Sequence, residues 1–153
     1  MIYEVSTIWD KTEISLIRER SVNYPDESMN TPDAIYRFCT KELHLEERNQ
    51  EYLYAFFFDQ RYRFISYTLV SKGTVNASLI DPKTLFSTAL LSGAVNMILV
   101  HNHPSGDYTP SGLDDSITEK ISNCGKLLDI QISDHLIIGD GNYYSYRMEG
   151  KLY

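Results

Sequence analysis

Four residues late in the chain have the types and the spacing for chemistry: His101, His103, Ser111 and Asp114. On an extended backbone, residues two apart point to the same side, so His101 and His103 present both imidazoles to one point beyond a strand end. The turn through Pro104, Ser105, Gly106 and Pro110 returns the chain to a helix N-terminus, and Asp114 falls in that helix's first turn, where its carboxylate can swing back toward the histidines. Two neutral imidazoles and one carboxylate form a three-ligand zinc site that leaves the fourth position open for water. Such a site lowers the pKa of water from about 16 to about 7 and polarises a carbonyl, which makes hydrolysis its natural chemistry. The reaction also needs a general base and gains from a donor aimed at the oxyanion; Ser111, close in sequence to the metal loop, suits the second role. The same ligands accept other divalent ions.

Each of these residues also has an ordinary structural use. An isolated histidine pair two residues apart is usually a pair of solvated imidazoles. Ser111 with Asp114 matches the S-x-x-[DE] capping box, in which both side chains satisfy backbone N–H groups. Pro104-Ser105-Gly106 is common turn chemistry. The conjunction of all of them, not any single one, points to a site.

The surrounding elements can be read from pattern and punctuation. Residues 95–100 are apolar except for Asn96, as in a central strand covered on both faces, and they run straight into His101. From Ser111 a helix carries Ile117, Ile121, Cys124 and Leu128 on one face, followed by a strand over 131–138 and a Gly139-Asp140-Gly141-Asn142 turn into a strand over 143–147. Upstream, Thr31-Pro32 opens a helix predicted over 32–45, and the aromatic run 52–58 is a strand. A second strand covers 63–70, its pairing continues over 73–79, and Asp81-Pro82 opens a helix over 82–92. Residues 1–30, with Ile14, Leu16 and Ile17 as their one apolar cluster, read as an N-terminal arm or edge strand, and 31–153 as a single domain. Helices before and after strands predict an α/β sandwich, one mixed sheet with helices packed on its faces.

The chain has 153 residues, 42% of them hydrophobic, enough for one core and too few for two ordinary domains. Its net charge of -7 opposes a phosphate backbone, so direct nucleic-acid binding is not expected. The N-terminus lacks a basic region followed by an apolar one, and no apolar run approaches the roughly 18 residues that span a bilayer; the expectation is a soluble, cytoplasmic protein without a membrane partner. Cys39 and Cys124, distant and not in a C-x-x-C pair, are expected as free thiols in a reducing compartment.

The segment His101-Asn102-His103-Pro104, followed by Ser111 and Asp114, fits H-x-H-P-x(6)-S-x(2)-D and so resembles the JAMM motif of JAB/MPN metallopeptidases. The stretches 98–107 and 134–139 resemble the RadC-like branch of that family, and the resemblance extends over about residues 32–149. It implies a cytidine deaminase-like α/β sandwich with His101, His103 and Asp114 as zinc ligands and Ser111 steadying the oxyanion. It also implies a glutamate base on an early strand after the first helix. The matching position is Glu51, at the head of Tyr52-Leu53-Tyr54-Ala55-Phe56, with Glu46 and Glu47 as neighbouring alternatives and a solvated strand-start glutamate as the structural one. His135 matches a residue common in RadC-like sequences and is expected to be a buried, hydrogen-bonded structural histidine. His44, at the end of the first helix, suits the helix dipole and is given no chemistry. The helix-hairpin-helix module that RadC-like proteins carry in front of this domain has no match in residues 1–30, so the family's DNA-repair label transfers poorly.

These readings converge on a zinc-dependent hydrolase acting on a peptide or isopeptide bond in a peptide or protein substrate. The competing expectations are a module associated with DNA repair or a mobile element, and a domain that binds a protein tail along a sheet edge without cutting it. An HNH nuclease would spread its motif over a ββα unit, and a zinc deaminase would need H-x-E and P-C-x-x-C; neither pattern is present.

Overall fold

The computed structural model describes residues 1–153. At its N-terminus, strand β1 (Ile2–Asp10) turns at Lys11 and Thr12 into β2 (Glu13–Val22), and the two pair antiparallel along their whole length. This hairpin supplies two strands where the sequence suggests one edge segment. Its outer strand exposes Arg18, Glu19 and Arg20, and Arg20 reaches back to Glu4 at 3.1 Å and to the Tyr67 hydroxyl at 3.2 Å. Charged outward positions hide the alternation that would identify β2, and they also protect an edge from further pairing.

Helix α1 (Pro32–Lys41) starts as its cap predicts, with the Thr31 hydroxyl accepting from the Ala34 N–H and proline in the first turn. It ends short of residue 45, because His44 takes a left-handed φ of 53° and begins a 3₁₀ turn at Leu45–Glu47. Leu43 and Leu45 remain buried, so the apolar spacing that extends the helix in the sequence reports the core rather than the helix itself.

Strands β3 (Tyr52–Phe58) and β4 (Phe64–Lys72) pair antiparallel. The chain beyond β4 does not continue the pairing over 73–79. Gly73, at φ +95°, turns it away, and Ala77–Leu79 forms a 3₁₀ turn whose Ala77 carbonyl accepts from the ammonium of Lys120, as does the Ile80 carbonyl at 3.0 Å. Helix α2 (Pro82–Leu91), capped by Asp81, is followed by β5 (Asn96–Asn102), α3 (Gly112–Leu127), β6 (Gln131–Ile138) and β7 (Tyr143–Ser145).

The seven strands form one mixed sheet in the order β2-β1-β4-β3-β5-β6-β7. β5 and β6 are parallel, with α3 as their crossover, as parallel neighbours require. On one face Tyr54, Phe56, Ile98 and Val100 pack beneath Ile35 and Phe38 of α1. On the other, Leu53, Ala55, Phe57, Met97 and Leu99 pack beneath Leu85 and Phe86 of α2 and Ile117 and Ile121 of α3. Period-two alternation carries the second face onward from Leu99 to His101, and from Leu53 to Glu51. No helix is long and apolar enough to cross a membrane.

Candidate metal centre

Every residue of β5 is buried, and His101 near its end has no exposed surface. His103 lies just past the strand, where its N–H donates to the Ile138 carbonyl at 2.9 Å and so keeps the local backbone in line with β6. The loop then turns on Gly106, at φ +86°, and presses against the turn between β6 and β7. A Cβ on Gly139 would stand 2.3 Å from the Gly106 carbonyl oxygen, so only glycine allows this approach. The loop in turn offers the Asp107 carbonyl to His103 Nδ1 at 2.6 Å.

Helix α3 delivers the third group. The Ser111 hydroxyl accepts from the Asp114 N–H at 3.3 Å, while Asp114 Oδ2 accepts from the Ser111 N–H at 2.6 Å and from the Ser111 hydroxyl at 2.9 Å. This is the reciprocal capping box, and it serves a second purpose: it fixes the Asp114 carboxylate over the strand end. Asp114 Oδ1 lies 2.9 Å from His101 Nε2, Oδ2 lies 3.3 Å from His103 Nε2, and the two Nε2 atoms are 3.1 Å apart.

The donor set fits a cation. With His103 Nδ1 directed at a carbonyl oxygen, that nitrogen carries the hydrogen and Nε2 keeps a lone pair. Two ring nitrogens and a carboxylate then converge on one small volume. Ligand atoms about 2.0–2.2 Å from a tetrahedral zinc stand roughly 3.3–3.6 Å from one another; the closest approaches here are 2.9–3.3 Å, and one donor atom from each residue lies within 4.8 Å of the others. The residues His101, His103 and Asp114 could therefore hold a metal ion. The electrostatics run the same way. Burial opposes a charge on Asp114, yet its contacts with His101 and His103 hold the carboxyl well below the usual range. The same carboxylate, against burial and with help from the Asp107 carbonyl and the charge of Glu51, raises the His103 pKa. Protons and a metal ion compete for the same donors, so affinity for the ion falls as pH falls.

Glu51 reaches the neighbourhood from β3. Leu53 is the antiparallel partner of His101, so Glu51, two residues earlier on the same face, stands across from His103. Asn102 secures that approach: its Oδ1 accepts from the Tyr52 N–H at 2.7 Å, and its Nδ2 donates to the Gln50 carbonyl at 3.0 Å. Glu51 Oε2 accepts from the Val75 N–H at 3.2 Å. An open cleft of about 360 Å³ runs beside it, lined by Asn49, Gln50, Glu51, Gly73, Thr74 and Pro104. A larger hollow of about 500 Å³ lies at the opposite end of β5 and β6, near Val95, Lys126 and Tyr153, away from the ligands. Of the other glutamates, Glu46 accepts from the Tyr36 hydroxyl and Glu47 faces His44 at 3.7 Å, whereas the charge of Glu51 acts on His103.

The structure thus brings His101, His103 and Asp114 together, joins Ser111 to them through Asp114, and sets Glu51 in the adjoining cleft. His44 remains at the surface, apart from them. His135 is fully buried beneath His101, with 2.8 Å between its Nε2 and His101 Nδ1. Burial pushes its pKa well below the ordinary histidine value and so favours the neutral ring. Cys39 and Cys124 are free thiols, and burial pushes the Cys39 thiol up. Sequence reasoning missed Asn102 and Thr118. The Thr118 hydroxyl lies 2.6 Å from His135 Nδ1, and its only advance signal is the i, i+4 spacing from Asp114, which places both on one helix face.

Comparison with known proteins shows which family the chain resembles. A family described as RadC-like JAB domain matches residues 29–151. A UPF0758 protein of Methanosarcina mazei is 37% identical over 138 residues, covering 90% of this chain and 59% of the relative. UPF0758 proteins of Finegoldia magna and Thermotoga maritima are 39% and 36% identical over 120 and 126 residues, covering 78% and 82% of this chain. The chain spans a little over half the length of these relatives, between 53% and 59%.

Proposed function

The chain belongs to the RadC-like JAB domain family, and from that premise we propose that it is a zinc-dependent hydrolase that cleaves a peptide or isopeptide bond. The observation that carries this reading is the convergence of His101 Nε2, His103 Nε2 and the Asp114 carboxylate within about one coordination sphere, beside a cleft that holds a glutamate. When bound in such an open site, zinc supplies Lewis acidity to a carbonyl and makes water acidic enough to attack near neutral pH.

The chain's own residues supply the rest. Glu51, held at the cleft by the Val75 N–H and by the clamp of Asn102 on its neighbours, is the base that takes the proton of the attacking water and returns it to the leaving amine. The Ser111 hydroxyl, which donates to Asp114 in the resting arrangement, is the donor that turns to the developing oxyanion. The substrate is a peptide or protein segment laid along the open cleft, whose polar lining matches a backbone rather than an apolar ligand. The net charge of -7 weighs against a nucleic-acid substrate.

Cleavage of peptide and isopeptide libraries by zinc-loaded protein, compared with Glu51→Gln, tests the reading. The expected result is zinc retained by the variant and turnover lower by about 10²- to 10⁴-fold, the usual contribution of a general base. A fully active variant would remove Glu51 from the mechanism.

A further inference from the structure

Beneath the three ligands runs a buried chain of hydrogen bonds that the reaction itself does not use. It begins at the Asp114 backbone carbonyl, 2.7 Å from the Thr118 hydroxyl oxygen, and continues from that hydroxyl to His135 Nδ1 at 2.6 Å. From His135 Nε2 it passes to His101 Nδ1 at 2.8 Å. Thr118, His135 and His101 have no exposed surface, so no solvent hydrogen bond competes.

The positions of the hydrogens follow from the partners. Two oxygens 2.7 Å apart need a hydrogen between them, and a carbonyl has none, so the Thr118 O–H donates to Asp114. That hydroxyl has a single hydrogen, so toward His135 it can only accept, and His135 Nδ1 is the donor. His135 is then left with a lone pair on Nε2, which accepts from His101 Nδ1–H. His101 therefore carries a hydrogen on Nδ1, which leaves Nε2 as the nitrogen that faces His103 and Asp114. The His135 ring is itself held in plane: Tyr146 stacks on it at a centroid distance of 5.1 Å and an angle of 9°, and the Tyr146 hydroxyl donates to Asp115 at 2.7 Å.

Building on the zinc reading above, we propose that Thr118 and His135 are positioning residues whose hydrogen-bond relay sets the tautomer of His101, and so keeps its Nε2 free to ligate the metal. The relay starts at the backbone of one ligand, Asp114, and ends at the ring of another, His101. The helix turn that presents the carboxylate thus also sets the imidazole. Removing the Thr118 hydroxyl leaves His135 Nδ1–H without a buried acceptor. The hydrogen is better placed on His135 Nε2, donating to His101 Nδ1, which moves the His101 hydrogen onto Nε2, where the ion must bind.

Two measurements test this. In the metal-free wild type, long-range ¹⁵N–¹H spectra of the imidazoles should show His135 as its Nδ1–H tautomer; hydrogen on His135 Nε2 would overturn the relay without any substitution. Zinc affinity by chelator competition should fall about ten- to a hundredfold in Thr118→Val, the range for losing a partner behind a ligand, and return to the wild-type value in Thr118→Ser. Equal affinity in wild type and Thr118→Val would refute the relay while leaving the metal centre intact. Absence of zinc uptake by the wild type would instead refute the zinc reading on which the relay rests.

Discussion

Replacing Asp114 with Asn, beside Ser111→Ala, separates the two tasks that converge on this carboxylate. Both variants damage the capping box, in which Ser111 and Asp114 exchange hydrogen bonds of 2.6–3.3 Å at the start of α3. Loss of a cap costs about 1 kcal/mol, with a range of about 0.5–2. For a domain of this size each kcal/mol moves the midpoint by roughly 2–4 °C, so both metal-free variants should melt a few degrees below wild type. Zinc should then divide them. An ion bound only by the folded state at about 100 times its dissociation constant adds about 2.7 kcal/mol, or roughly 5–10 °C. The wild type should show this rise. Ser111→Ala keeps all three ligands and should show most of it. Asp114→Asn loses the anionic ligand and should show none. The assay is thermal unfolding followed by circular dichroism with zinc and with chelator. A zinc-induced rise in Asp114→Asn equal to that of wild type would reduce Asp114 to a helix cap and refute its role as a ligand.

Other sites give independent outcomes. Gly139→Ala places a Cβ 2.3 Å from the Gly106 oxygen and should destabilise by about 1–3 kcal/mol while weakening zinc binding through the displaced loop, as urea unfolding and chelator competition will show. Asn102→Ala removes the clamp on Gln50 and Tyr52 and should lower turnover with zinc content unchanged, a separation visible in parallel metal and peptidase assays. Asp134→Ala leaves the buried Ser145 hydroxyl and the Arg147 N–H without their acceptor, and should cost about 1–3 kcal/mol in chemical unfolding.

Much of this site is legible in the sequence because its signals are local. The strand end at His101, the cap at Ser111 and the return of Asp114 all lie within fourteen positions, and their periodicities and caps fix the backbone that carries them. Glu51 could be named only through the family resemblance, since its position opposite His103 depends on the β3–β5 register. Asn102 and Tyr146 escape for the same reason, since their roles are hydrogen bonds and a ring stack across distant elements, and for Thr118 the helix spacing from Asp114 gives its face but not its contact with His135. In the fold, α2 and the strands around the site match their predicted spans closely, because cap, proline and apolar stripe agree there. The second strand of the N-terminal hairpin escapes, because its exposed charges interrupt the alternation, and α1 is overextended because buried leucines continue past its end.

The central claim is that His101, His103 and Asp114 hold a zinc ion, and metal content tests it most directly. Elemental analysis of protein purified without added metal or an affinity tag should find about one zinc per chain in wild type, and none in the double variant His101→Ala, His103→Ala. A wild type without metal, taking up none when zinc is supplied, would contradict the account and leave a capped helix beside a histidine pair.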